Sequence, residues 1–155
     1  MAEYVEAPNY TEYLGEGINS LFLAGGITGC WDWQATLFDK IRFIPKLTVY
    51  NPRRTNYPID DIESIRAQIK WEFYYLKMCD AVSFWFASET VQPITLLEFG
   101  RWTGLRKKIF VGCHPDYLRK QDLEIQLELV DNEVTIHSTL DSLATEVKDH
   151  FRYLQ

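Results

Sequence analysis

The sequence predicts an α/β domain built on a parallel sheet with helices on both faces. Short apolar runs such as Ser20–Ala24 and Ala81–Phe86 read as buried strands. Longer segments with a 3.6-residue apolar period follow them, Ile62 to Met78 being the clearest. Glycine, Asn-Pro or polar loops stand directly after the strands. Strands alternating with helices imply right-handed βαβ units, whose ligands bind beyond the carboxyl ends of the strands.

Met1 to Gly17 is polar and spotted with Tyr4, Tyr10 and Tyr13. It reads as an arm, mobile or packed on a neighbouring subunit, ahead of a single domain over 18–155. The first strand, Ser20–Ala24, runs into Gly25-Gly26, where backbone can approach a ligand closely. Neither a dinucleotide fingerprint nor a phosphate-binding Walker loop follows. Trp31 to Phe43 reads as a helix. Asp32 near its start either favours the helix N-terminus or, with Trp31, faces the cleft above the glycines.

The second strand, Leu47–Tyr50, ends in Asn51-Pro52-Arg53-Arg54, and a turn-rich loop follows from Thr55 to Asp61. The helix from Ile62 to Met78 sets Ile62, Ile65, Ile69, Phe73 and Leu76 on a stripe of roughly 3.6-residue period. Glu72 lies beside that stripe, solvated or at work. Ala81–Phe86 is the third strand, and Ser88 to Gln92 its polar loop. Pro93 suits the first position of the next helix, which runs through Ile94 to Leu105. Glu98 sits among apolar residues of that helix, on a stripe with Ile94 and Trp102. It either pairs with Arg101 or serves chemistry. Lys108–Gly112 and Val134–His137 are further strands. Arg119–Leu129 forms a short helix, and Leu140–Leu154 closes the chain with Leu140, Leu143, Val147 and Phe151 on one side. The topology gathers Glu98, Asn51, Arg53 and the double glycine around one rim.

Composition narrows the function. A net charge of −6 gives no footprint for a nucleic-acid backbone. Aromatics at 15% suit a core or a pocket for a flat ligand. Cys30, Cys79 and Cys113 have no metal spacing, and their odd number fits a reducing, cytoplasmic setting. His114, His137 and His150 are scattered, so no metal site is expected, and no apolar run reaches the ~20 residues a membrane span needs.

The strings L-F-L-A-G-G-I-T-G, N-P-R-R, W-E…C-D-A-V-S-F-W-F and E-T…P-I-T-L-L-E-F-G-R-W together resemble the nucleoside 2-deoxyribosyltransferase family, in its second branch, over Leu21 to Gln126. The resemblance implies a flavodoxin-like, doubly wound, five-stranded parallel sheet of order 2-1-3-4-5 and no cofactor. It implies a glutamate nucleophile, matching Glu98 in the segment Glu98-Phe99-Gly100. Nucleoside and free nucleobase would be the substrates, and a homo-oligomer with shared active sites the assembly. Glu72, eight residues before Asp80, matches the position of a relative's aspartate and is a candidate acid, as is Asp32; Asp80 itself reads as structural. Gln92 stands where many relatives carry a substrate-binding aspartate, and Phe22 where many carry a tyrosine, so a ribose 2′-hydroxyl could be admitted. Asp122 falls near the position from which a neighbouring chain binds the sugar 5′-hydroxyl. Base exchange is the expected reaction. The alternatives are a nucleoside or nucleoside 5′-monophosphate N-glycosidase, with Arg53, Arg54 and Thr28 near a phosphate, and a non-catalytic nucleotide-binding module.

Overall fold

The structure is a computed structural model, and it describes residues 1–11, 17–55, 61–130 and 133–153. Tyr13, positions 56–60 of the turn-rich loop and Leu154 lie outside the described residues. The elements in order are β1 (Glu3–Glu6), β2 (Asn19–Gly25), α1 (Trp33–Ile41), β3 (Leu47–Asn51), α2 (Ile62–Met78), β4 (Ala81–Phe86), α3 (Pro93–Gly104), β5 (Lys108–Cys113), α4 (Lys120–Val130), β6 (Ile136–His137) and α5 (Leu140–Arg152). All strand pairings are parallel, in the order β1-β3-β2-β4-β5-β6. Without β1, that order is the expected flavodoxin-like 2-1-3-4-5 arrangement.

The sheet therefore has six strands rather than five. Residues 3–6 of the expected mobile arm form the edge strand, in register from Glu3 opposite Thr48 to Glu6 opposite Asn51. The reason is hydrogen bonding and burial together. β1 satisfies the outer edge of β3, Val5 and Ala7 join the core, and the Tyr4 ring packs tilted on Phe38 with centroids 4.3 Å apart. Beyond the strand, Asn9 O accepts from Trp71 Nε1 at 2.7 Å, and Thr11 N donates to the Tyr75 hydroxyl at 2.9 Å. The arm thus fastens α2 to the sheet.

One sheet face buries α2, α3 and α4 through Trp71, Tyr75, Phe99, Trp102, Leu123 and Leu127. The other buries α1 and α5 through Trp33, Leu37, Ile41, Leu143, Val147 and Phe151. Asp80 is structural: its carboxylate accepts from both N and Oγ of Ser20 at 2.7 Å, locking the start of β4 to β2.

The periodic apolar stripe of α2 is only partly its buried side. Its buried side carries Gln68, Trp71, Tyr75 and Leu76, whereas Ile62, Ile69 and Phe73 are exposed. The two aromatic rings bury more surface than the aliphatic side chains would, and both hydrogen-bond to the arm. Of the apolar stripe only Leu76 is buried, and Ile62, Ile69 and Phe73 are turned outward.

The double glycine is set by packing. A Cβ on Gly25 would lie 2.5 Å from both Trp33 Cζ2 and Trp85 O. One on Gly26 would lie 2.5 Å from Cys30 Sγ and 2.8 Å from Gln92 Cδ. Because the Trp85 carbonyl belongs to the sheet and cannot rotate away, Gly25→Ala is expected to destabilise the fold by about 1–3 kcal/mol or more. Urea unfolding of the two proteins checks this: the midpoint should fall with the slope unchanged.

Candidate active site

A cleft of about 730 Å³ opens at the carboxyl ends of the strands, between the Gly25-Gly26 turn, α2 and α3. Phe22 and Ala24 from β2 form its floor, with Gly25, Gly26, Ile27 and Thr28 along one side. α2 contributes Gln68, Glu72 and Phe73, and α3 contributes Thr95, Glu98 and Arg101. Spacing explains this lining. Gln68 and Glu72 are one turn apart on α2, and Glu98 and Arg101 lie at i and i+3 on α3.

Glu98 and Glu72 face this mostly apolar space, and each is only partly exposed. Burial raises the pKa of Glu98 to about 8; the neighbouring Glu72 charge adds to the shift and Arg101 opposes it. Burial also raises Glu72, against the lowering effect of a hydrogen bond from Gln68. That bond runs from Gln68 Nε2 to Glu72 Oε1 at 2.8 Å, while the same nitrogen reaches Pro52 O at 2.9 Å. Arg101 rests over the Phe73 ring, 5.5 Å from its centroid. Two carboxyl groups with raised pKa values share one cleft, an arrangement suited to nucleophilic and acid–base chemistry at carbon.

The other expected residues divide into two sets. Phe22, Gly25, Gly26 and Gln92 line the cleft with the two glutamates. Gln92, however, is engaged in holding the rim. Its Oε1 accepts from Gly26 N at 2.8 Å, and its Nε2 donates to Ala87 O at 2.7 Å and Thr90 O at 3.1 Å. It does so from a left-handed backbone conformation, φ 55°, immediately before Pro93, a strain of about 1–3 kcal/mol.

Trp31, Asp32, Asn51 and Arg53 stand behind the rim rather than in the cleft. Arg53 donates from Nε to Gln34 Oε1 at 3.0 Å and from Nη2 to Trp31 O at 2.9 Å and Cys30 O at 3.3 Å. Asp32 caps α1 by accepting from Ala35 N at 3.0 Å, and ion-pairs with Arg53 at 3.3 Å. Asn51 is buried, accepting from Arg53 N at 3.0 Å and donating to the Tyr4 hydroxyl. The Trp31 side chain is half exposed. These four residues build the wall: the guanidinium expected at a phosphate is spent on backbone carbonyls. Asp122 is exposed on α4, paired with Arg119 at 3.4 Å, and does not line the cleft. The reading of the sequence missed Gln68, although its i, i+4 relation to Glu72 was visible. Among the described residues no cluster suits a metal ion, and no helix is long and apolar enough to cross a membrane.

A family model described as "Nucleoside 2-deoxyribosyltransferase like" matches residues 18–117, a span that holds both glutamates and the double glycine. No curated protein matches the chain. Among solved structures, a conserved protein from Enterococcus faecalis V583 is 13% identical; the match covers 89% of this chain and 99% of that one, with a TM-score of 0.55, which shows a shared fold. The chain belongs to the nucleoside 2-deoxyribosyltransferase-like family.

Proposed function

We propose that the protein exchanges the nucleobase of a 2′-deoxyribonucleoside or ribonucleoside through a glycosyl ester on Glu98. The observation that carries this is the pair of carboxyl groups in one apolar cleft, both made hard to ionise. As the bond from C1′ to the base nitrogen breaks, its electron pair stays with the base, and Glu72 gives that base a proton. Glu98, ionised, stabilises the positive charge growing at C1′ and then forms the C1′–O bond. A second base attacks C1′ from the face the first one left, the ester breaks, and the incoming base returns its proton to Glu72. Two displacements retain the configuration at C1′. No cofactor takes part.

The acceptor decides between exchange and hydrolysis, in which water would replace the second base. The engagement of Arg53 with carbonyl groups removes one of the cations that a 5′-phosphate reading relied on. Incubation with a 2′-deoxynucleoside, with and without free adenine or cytosine, separates the two. Exchange requires a new nucleoside to form, whereas equal release of free sugar in both arms identifies a hydrolase. Intact-mass analysis should find a deoxyribosyl adduct mapping to Glu98 in the wild type and none in Glu98→Gln. Turnover in that variant should fall at least ~10³-fold. An undiminished rate would assign the cleft to binding rather than catalysis.

The reacting state carries one proton on the pair, so kcat/KM should follow a bell against pH. Its alkaline limb should break near pH 8, where the pair in the free protein gives up its last proton; the reacting form is the one that holds that proton on Glu72 and leaves Glu98 ionised. Arg101 favours the ionised form of Glu98, so Arg101→Met should move that break upward. A rate that climbs through pH 8 and stays high would exclude the shared-proton scheme. The shift acts on stability too. An acid with a raised folded pKa is bound to its proton more tightly in the fold than in the unfolded chain. Its stabilising contribution is therefore present at low pH and is lost as pH rises from the ordinary value of 4.5 to about 8. Glu98→Gln should flatten this decline in thermal melts.

The lip of the cleft is aliphatic and open: Ile69, Phe73, Ile94 and Leu97 are 59%, 46%, 62% and 57% exposed. A homo-oligomer in which a second copy covers this lip fits that surface. Leu97→Lys should lower the molar mass measured by light scattering and raise KM more than it lowers kcat. An unchanged mass would place any assembly on another face.

A further inference from the structure

We infer that Gln68 is a positioning residue for the leaving-group acid, fixing Glu72 Oε1 as a hydrogen-bond acceptor so that the acidic proton is carried on Oε2. This rests on the reading of Glu72 as the acid in the exchange reaction.

The geometry is specific. Gln68 is 3% exposed on the inner side of α2, one turn before Glu72. Its Nε2 has two hydrogens and two acceptors, Glu72 Oε1 at 2.8 Å and Pro52 O at 2.9 Å. The Pro52 carbonyl can only accept, so the amide orientation is settled by its partners. Both donor positions are then used, and Oε1 of Glu72, receiving a hydrogen, is the oxygen that does not hold one. A carboxyl group without such a partner would distribute its proton over both oxygens and turn freely about its last bond.

The other end of the amide makes a structural explanation insufficient. Gln68 Oε1 is buried with no hydrogen-bond partner among the described residues. A buried acceptor left unpaired costs stability, and a methionine of the same length would fill the space without it. Glutamine at this position is thus explained by what its nitrogen does. Pro52 O anchors that nitrogen to the loop that follows β3, so the orientation of Glu72 is referred to the sheet as well as to its own helix.

The hydrogen bond also favours the ionised form of Glu72. It lowers the first of the two macroscopic ionisations of the Glu72–Glu98 pair and so keeps the acid limb of the activity profile low; the one proton then remaining exchanges between the two carboxyl groups, and the reacting form is the one that holds it on Glu72 Oε2. The groups facing Glu72 and Glu98 within the cleft are Gln68 from α2 and Arg101 from α3, with Arg54 on the lining beyond β3.

The test is Gln68→Met, with Gln68→His as the conservative variant that keeps one N–H donor. In Gln68→Met, kcat should fall roughly tenfold with KM within about twofold, since misorienting a general acid forfeits part of its ~10²–10⁴-fold contribution. The acid limb of the kcat/KM profile should move to higher pH while the alkaline break stays near 8. Gln68→His should recover most of the rate and return the limb. Independently of turnover, a carboxyl-carbon NMR titration of glutamate-labelled resting protein should show the lower apparent ionisation of the pair rising in Gln68→Met. If the melting temperature falls while limb and titration stay where the wild type has them, Gln68 is only structural and the inference is overturned. A wild type that forms no sugar adduct would sink the exchange reaction, yet the titration would still report on Gln68.

Discussion

The backbone of Gly26 is the point on which the rim depends. Its N–H is taken by Gln92 Oε1 at 2.8 Å, and its carbonyl by Trp33 Nε1 at 3.0 Å. Three elements meet there: the end of β2, the loop before α3, and the first turn of α1. Parallel strands end in loops with nothing intrinsic to hold them together, because the ladder stops where the chain turns. Here side-chain amides and an indole continue the hydrogen bonding past the sheet. The strained backbone of Gln92 is the local cost, offset by three hydrogen bonds from one side chain. That fixed rim gives the helix beginning at Pro93 its origin, and hence Glu98 its place.

Behind the rim runs a second tier. Tyr4, Asn51, Arg53 and Asp32 form a connected chain from the edge strand to the start of α1. Desolvation then does the electrostatic work. The cleft is walled by Phe22, Ala24, Phe73 and Leu76, so a carboxylate inside it is poorly solvated and holds its proton to an unusually high pH. Each charge raises the cost of ionising the other group, so burial and repulsion act in the same direction on Glu98.

Much of this was legible in the sequence because the signals were local. Ile62–Met78 and Ala81–Phe86 have the bounds their patterns give, and Pro93 opens α3 as its fixed φ suggests. Glu98 stood out because a carboxylate in an apolar helical run needs a reason. What could not be read was which of two competing faces a helix buries. The apolar period of α2 was correct as a period but does not mark the buried side, since Trp71 and Tyr75 find partners in a segment some sixty residues away. For the same reason β1 was hidden: four residues gain strand character only when the β3 edge is offered to them. Arg53 and Gln92 were visible as polar residues at the right rim. Whether a polar head faces ligand or backbone depends on distances of a few ångströms that spacing does not encode.

The outward aliphatic stripe of α2 has a bearing on how this cleft could change its guests. The glycine turn, Gln92 and Arg53 are each committed to several partners, so replacing any of them disturbs the rest. Ile69, Ile94 and Leu97 stand exposed at the mouth and hold no hydrogen bond of the rim. Changes in the shape of the opening can therefore accumulate on those side chains while the rim beneath them stays intact.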